Sequence, residues 1–183
     1  MKAIEILMEE HQVILRVITA MEQASQRLES GKMPATFFVE AAEFIKGFAD
    51  GCHHKKEEGV LFVAMTAHGV PQQGGPIGVM LAEHEQGRAF TRGMREAALK
   101  MIDGETTQAG AVLANARGYT ALLRQHIQKE DNVLFPMAVK VIPPQEQEKV
   151  VEDFERIEHE ETGEGIHEKF LGLAEKLEKA VEG

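Results

Sequence analysis

A set of residues between positions 4 and 62 recurs between 77 and 135 with one constant offset of 73. The offset carries Ile4 to Ile77, His11 to His84, Met21 to Met94, Gly31 to Gly104 and His53 to His126. It also carries Lys56 to Lys129, Glu57 to Glu130, Leu61 to Leu134 and Phe62 to Phe135. A chain with such a period repeats one structural unit, and the unit must be read before its parts.

The unit is a pair of helices. Apolar residues recur at steps of three and four, and strand alternation is missing. The first helix is expected from Lys2 to about Leu28, with Ile4, Leu7, His11, Ile14, Leu15 and Ile18 on one stripe. Ser30 to Pro34 stops it, and Pro34 suits the start of a second helix running to about Met65. That helix carries Phe38, Ala42, Ile45, Ala49, His53 and Val60 on one side. His68 to Pro76 reads as a loop, and Ile77–Ile102 as the third helix with Ile77, Leu81, His84 and Met94 inward. The fourth, about Ala109–Met137, aligns Val112, Tyr119, Leu122, His126, Glu130, Val133 and Met137. After Pro143-Pro144 a charged tail, Gln145–Ala180, is expected to be helical with a break at Gly163 and Gly165, and to pack through Phe154, Ile157, Phe170, Leu173 and Leu177. The fold class is therefore all-α: a duplicated helical hairpin closing into a bundle (residues 1–140) plus a helical tail (145–183), one domain in all.

Duplication brings paired positions together across the bundle axis. His53 and Glu57, four apart, share a helix face, and so do His126 and Glu130. His11 and His84 lie on the apolar stripes of the other two helices. Four histidines and two carboxylates thus point inward, a donor set suited to a pair of metal ions in a bundle core. Buried carboxylates without partners would be costly, which favours a cation between them. Imidazole and carboxylate suit iron, manganese or zinc.

The pattern of His, His-x3-Glu, His, His-x3-Glu on successive helices resembles the hemerythrin-like, HHE cation-binding family. The segments HHKKEEGVLF, PIGVMLAEHEQGR and LLRQHIQKEDNVLFPMA carry the likeness, which covers nearly the whole chain. It implies an up-and-down four-helix bundle holding a non-haem di-iron centre, two iron ions with a solvent-derived bridge. The ligands implied are His11, His53, Glu57, His84, His126 and Glu130, with the glutamates bridging. Two departures stand out. Animal oxygen carriers have two histidines four apart on the third helix, where this chain has Met80 at the earlier position. They also have an aspartate five residues after the fourth-helix histidine, which here falls on Asp131 and not Glu130.

Neighbours of the set need separate readings. His54 faces about 100° away from His53 on an α-helix, and the repeat sets it opposite Ile127, so His53 is the expected ligand and His54 a flanking residue. Glu58 and Asp131 are offset neighbours, either holding a ligand or solvated. Glu10 and Glu83, also a repeat pair, fit either a histidine partner or the surface. Glu164-x2-His167 has a ligand spacing of its own, and a tail folded over the bundle could put His167 where Met80 leaves a gap. His68 and His159 are read as solvent-facing, and Met8, Met80, Met94, Met101 and Met137 as core filler. Cys52, the single cysteine, excludes an intramolecular disulfide and reads as a buried small residue.

Composition narrows the function. A net charge of −10 with no basic cluster argues against nucleic acid. No apolar run reaches the roughly 18 to 20 residues of a membrane span, and Glu5, Glu9 and Glu10 interrupt any signal-peptide core, so a cytoplasmic protein is expected. Six donors shared by two six-coordinate ions leave about two places on each. Open places beside a redox metal suit O2, NO or peroxide. The expected function is therefore binding or reaction of such a small ligand. Iron buffering without turnover, an enzyme of NO or peroxide detoxification and iron-centre repair, and a metal-free helical interaction module are the alternatives.

Overall fold

The structure is a computed structural model describing residues 1–162 and 165–182, with side chains at 1–159 and 165–182. Every element among the described residues is helical. Helix α1 spans Lys2–Glu29. Rod α2 covers residues 36–67 in consecutive pieces, Thr36–Phe44, Ile45–His54, Glu57–Leu61 and Phe62–Ala67, of which Ile45–His54 and Glu57–Leu61 are π-helical. Helix α3 spans Pro76–Ile102. Rod α4 covers 109–141, with a π turn at Glu130–Leu134 between Ala109–Lys129 and Phe135–Val141. The tail forms α5, residues 147–162, and α6, Ile166–Ala180. Gly163 and Glu164 lie outside the described residues, so the glycine break is seen only at Gly165, where φ is +77° just ahead of α6.

The repeat is visible in how the rods end. Gly31 and Gly104 close α1 and α3 at φ +70° and +103°, a left-handed conformation that glycine enters without a Cβ penalty. Lys32 donates to the Arg27 carbonyl at 2.8 Å, and Glu105 to the Lys100 carbonyl at 2.9 Å, the same bond one repeat later.

Two apolar clusters form the core. One gathers Ile14–Leu28 positions of α1 with Phe38, Ile45 and Phe48 of α2, Met94 and Ala98 of α3, and Val112, Tyr119 and Leu123 of α4. The other joins Leu7, Leu61, Met65, Ile77, Leu134 and Phe135 with Phe154 and Ile157 of the tail. Rods α1 and α3 run from the second cluster to the first, and α2 and α4 run back. Between the clusters every rod contributes buried histidine or glutamate. Helix α5 covers α1 and the end of α2, whereas α6 lies along α1 and the start of α2. Among the described residues no helix is long and apolar enough to cross a membrane.

Side chains outside the centre also depart from the sequence reading. Val133 is 52% exposed, whereas its repeat equivalent Val60, also in a π turn, is buried in the cluster that the tail joins. Met8, at 40% exposed, is no core filler, since its neighbours Leu7 and His11 take the inner face. His68 is half-buried and bonds Glu146 at 2.9 Å.

Candidate metal centre

The six residues expected to face inward all do so, and each is 1% exposed or less. They come from four rods: His11 from α1, His53 and Glu57 from α2, His84 from α3, His126 and Glu130 from α4. Donor atoms converge in two overlapping groups. One holds His11, His53, Glu57 and Glu130, and the other His54, Glu57, His84 and His126.

His54 is the residue the sequence reading set aside. Its ring is buried and stacks on His84 with 3.8 Å between centroids. The expectation of a flanking position assumed an α-helical step. Residues 45–54 are π-helical, and the larger number of residues per turn brings adjacent side chains closer in direction, so both histidines reach the centre. π turns fall at both ligand-bearing stretches, Ile45–His54 with Glu57–Leu61 and Glu130–Leu134, where such insertions often shape functional sites.

Each imidazole is held from behind by a carboxylate. His11 Nδ1 bonds Asp131 at 2.8 Å, and its repeat partner His84 bonds Glu58 at 2.7 Å. His53 Nδ1 bonds Glu10 at 2.9 Å, and its partner His126 bonds Glu83 at 3.0 Å. Two questions open in the sequence are thereby closed, since Glu10, Glu83, Glu58 and Asp131 all orient histidines. His54 Nδ1 bonds Asp50 at 2.9 Å. A proton on Nδ1, donated to a carboxylate, leaves Nε2 with a lone pair aimed inward, the tautomer that binds metal. Lysines brace the outer carboxylates: Lys56 Nζ reaches Glu10 at 2.6 Å, and Lys129 pairs with Glu83.

On the inner side bonding stops. Among the described residues, His11, His53 and His54 Nε2 and both oxygens of Glu57 and Glu130 are buried without a hydrogen-bond partner. Each such atom costs about 1–3 kcal/mol if left unsatisfied. His84 and His126 Nε2 face each other at 3.0 Å, His126 Nε2 lies 3.0 Å from Glu130, and His11 Nε2 lies 3.2 Å from Glu130. Spacings of about 3 Å are those of adjacent donors around a cation roughly 2.1 Å from each. Protonation tells the same story. Burial, then the neighbouring Glu130, pushes the Glu57 carboxyl far up. Burial also opposes charge on His11 and His126. Asp131 and Glu130 nevertheless raise His11 to about 9, and Glu130 with Glu83 raises His126. Glu130 is held low, because His126 and His11 outweigh its burial. Burial above all, with nearby imidazoles, lowers His53 to about 4 and also holds His54 well below its usual value. The donor chemistry, imidazole and carboxylate in two convergent groups, fits metal ions.

A model of the hemerythrin HHE cation-binding domain matches residues 2–138. The chain belongs to the hemerythrin HHE cation-binding family. Relatives include an uncharacterised protein of Mycobacterium tuberculosis (strain H37Rv) and one of Mycobacterium bovis. Each is 25% identical over 182 residues, covering 97% of this chain and 69% of the relative. No solved structure matches. This hemerythrin-family chain keeps its His and Glu clusters able to hold metal.

His167 stays out of those two groups. Its Nδ1 bonds Glu158 at 3.0 Å, and Glu158 in turn accepts from Lys56 at 2.9 Å. Glu10, Glu158 and His167 form a third cluster, but the Lys56 ammonium already supplies a cation between its two glutamates. The Glu164 half of the Glu-x2-His spacing lies outside the described residues. Met80 is buried at 3%, and the additional imidazole near His84 comes from His54 on α2.

Proposed function

We propose that the chain is an up-and-down four-helix bundle, one domain with its tail, that holds two iron ions and binds or reacts with O2, NO or peroxide. The observation that carries this reading is the ring of imidazole and carboxylate atoms, buried and unpartnered on the inner side and fixed by carboxylates behind. Glu57, His54, His84 and His126 would hold one ion, and His11, His53, Glu57 and Glu130 would hold the other. Six-coordinate iron would then keep about two places on each ion. The bound pair supplies redox chemistry and open coordination to a small ligand.

The chain's own residues set the terms of access. The site lies between two apolar clusters, and its donors are at most 3% exposed, so bulky substrates are excluded. Asp131, Glu10, Glu58, Glu83 and Asp50 fix ring orientation and hold a proton at Nδ1, so that Nε2 faces the centre.

Elemental analysis after anaerobic loading with ferrous iron is expected to give about two metals per chain, as in two-metal sites of bundle cores. Azide or peroxide added to the oxidised protein should produce new charge-transfer absorption, and NO should perturb the reduced form. Less than about one bound metal per chain would sink the metal reading. Full loading with a spectrum indifferent to all three ligands would move iron buffering ahead of small-ligand chemistry.

A further inference from the structure

A second opening lies outside the metal centre. A cleft of about 750 Å³ runs between residues 39–51 of α2 and residues 88–95 of α3. That volume falls within the roughly 300–1,000 Å³ typical of small-molecule sites. In a chain of net charge −10 its walls are unusual, for they carry Lys46, Arg88, Arg92 and Arg95 against only Glu43 and Asp50.

The two acids are already engaged. Glu43 pairs with Lys169 at 3.1 Å, and Asp50 accepts from His54 with Arg88 3.8 Å away. Arg88 is engaged as well, reaching Glu58 at 2.7 Å. The side chains of Lys46, Arg92 and Arg95 have no such partner among the described residues. Arg88, Arg92 and Arg95 follow at steps of four and three, hence along one face of α3, where like charges repel. An anion between them would relieve that repulsion.

We infer that this cleft binds a small organic acid carrying carboxylate or phosphate groups on an apolar body. Guanidinium groups present planar donor pairs that match either acid. Val39 and Ala42 supply apolar wall, and the cleft is far larger than an inorganic anion needs. Arg92, Arg95 and Lys46 bind the acidic groups. Arg88 stays with Glu58 and forms the wall shared with the metal centre.

The test is isothermal titration of the full chain with isophthalate, with adenosine monophosphate, and with neutral isophthalamide. Titrations are run in a non-coordinating buffer, both metal-loaded and after chelation, so that failure of the metal reading does not decide the result. At least one of the two acids should bind saturably with a dissociation constant near or below about 1 mM. Which of them binds assigns carboxylate or phosphate. Arg92→Gln/Arg95→Gln and, separately, Lys46→Gln should weaken binding by about tenfold or more, whereas Lys140→Gln, away from the cleft, should not. Circular dichroism confirms that each variant is folded. Absence of binding by both acids, equal binding by the neutral amide, or binding unchanged in both cleft variants would overturn the proposal.

Discussion

His53 and His54 are chemically identical neighbours with different backing. His53 belongs to the repeat and is held by Glu10; His54 has no counterpart, since the positions equivalent to His54 and Asp50 are Ile127 and Leu123. One half of the centre therefore gains an imidazole, and the carboxylate that orients it, which the other half lacks. His54→Ala is expected to weaken the position formed with His84 and His126 while leaving the His11 and His53 position loaded, as read by stepwise metal titration. Asp50→Asn should cost about 10- to 100-fold in affinity at the same position, the usual effect of removing a ligand's outer partner. Undiminished two-metal binding in His54→Ala would show that His54 only lines the site. At this scale the sequence was legible wherever the duplication spoke. The constant offset put all six expected donors inside, and it paired Glu10 with Glu83 without deciding between a histidine partner and the surface. His54 was hidden because its placement depends on the local helix type, and the repeat argued against it.

The helical rods could be read from apolar spacing and from glycine and proline stops, which act through neighbouring residues. The π turns at Glu57–Leu61 and Glu130–Leu134 could not, since no apolar spacing marks them. Docking of the tail likewise turns on one close approach that no periodicity reveals. A Cβ on Gly47 would fall within the Phe170 ring, so α6 seats its aromatic anchor where α2 has no side chain. Gly47→Ala should therefore lift Phe170 and destabilise the fold by about 1–3 kcal/mol, the range for overpacking. Gly172, on the same tail helix, meets nothing within 4 Å of an added Cβ. Gly172→Ala should be neutral, or stabilising by up to about 1 kcal/mol. Thermal unfolding checks both, and hydrogen exchange over residues 166–180 should accelerate only in Gly47→Ala. Equal stability of the two variants would mean that the tail is not anchored through Phe170.

Across the whole molecule, a charged and hydrogen-bonding layer separates two apolar clusters, so the bundle is weakest in the middle unless cations fill it. The tail stiffens one side of that layer: Glu158 closes on Lys56, which is 1% exposed, whereas its repeat equivalent Lys129 is 39% exposed. Stripping metal should lower the midpoint of thermal unfolding by roughly 5–10 °C. A ligand held at a hundred times its dissociation constant stabilises by about 2.7 kcal/mol, and a chain of this length shifts about 2–4 °C per kcal/mol. No shift on chelation would mean the layer is satisfied without cations. Cys52 gives the same layer a clock. The chain's sole thiol is 2% exposed behind His53, and burial, followed by the Glu10 charge, raises its pKa to about 11. An alkylating reagent can therefore reach a reactive thiolate only when this stretch of α2 swings open, and the labelling rate counts those openings. Metal-loaded chains should label slowly and stripped chains faster, with one sulfur timing how often the sealed chamber breathes.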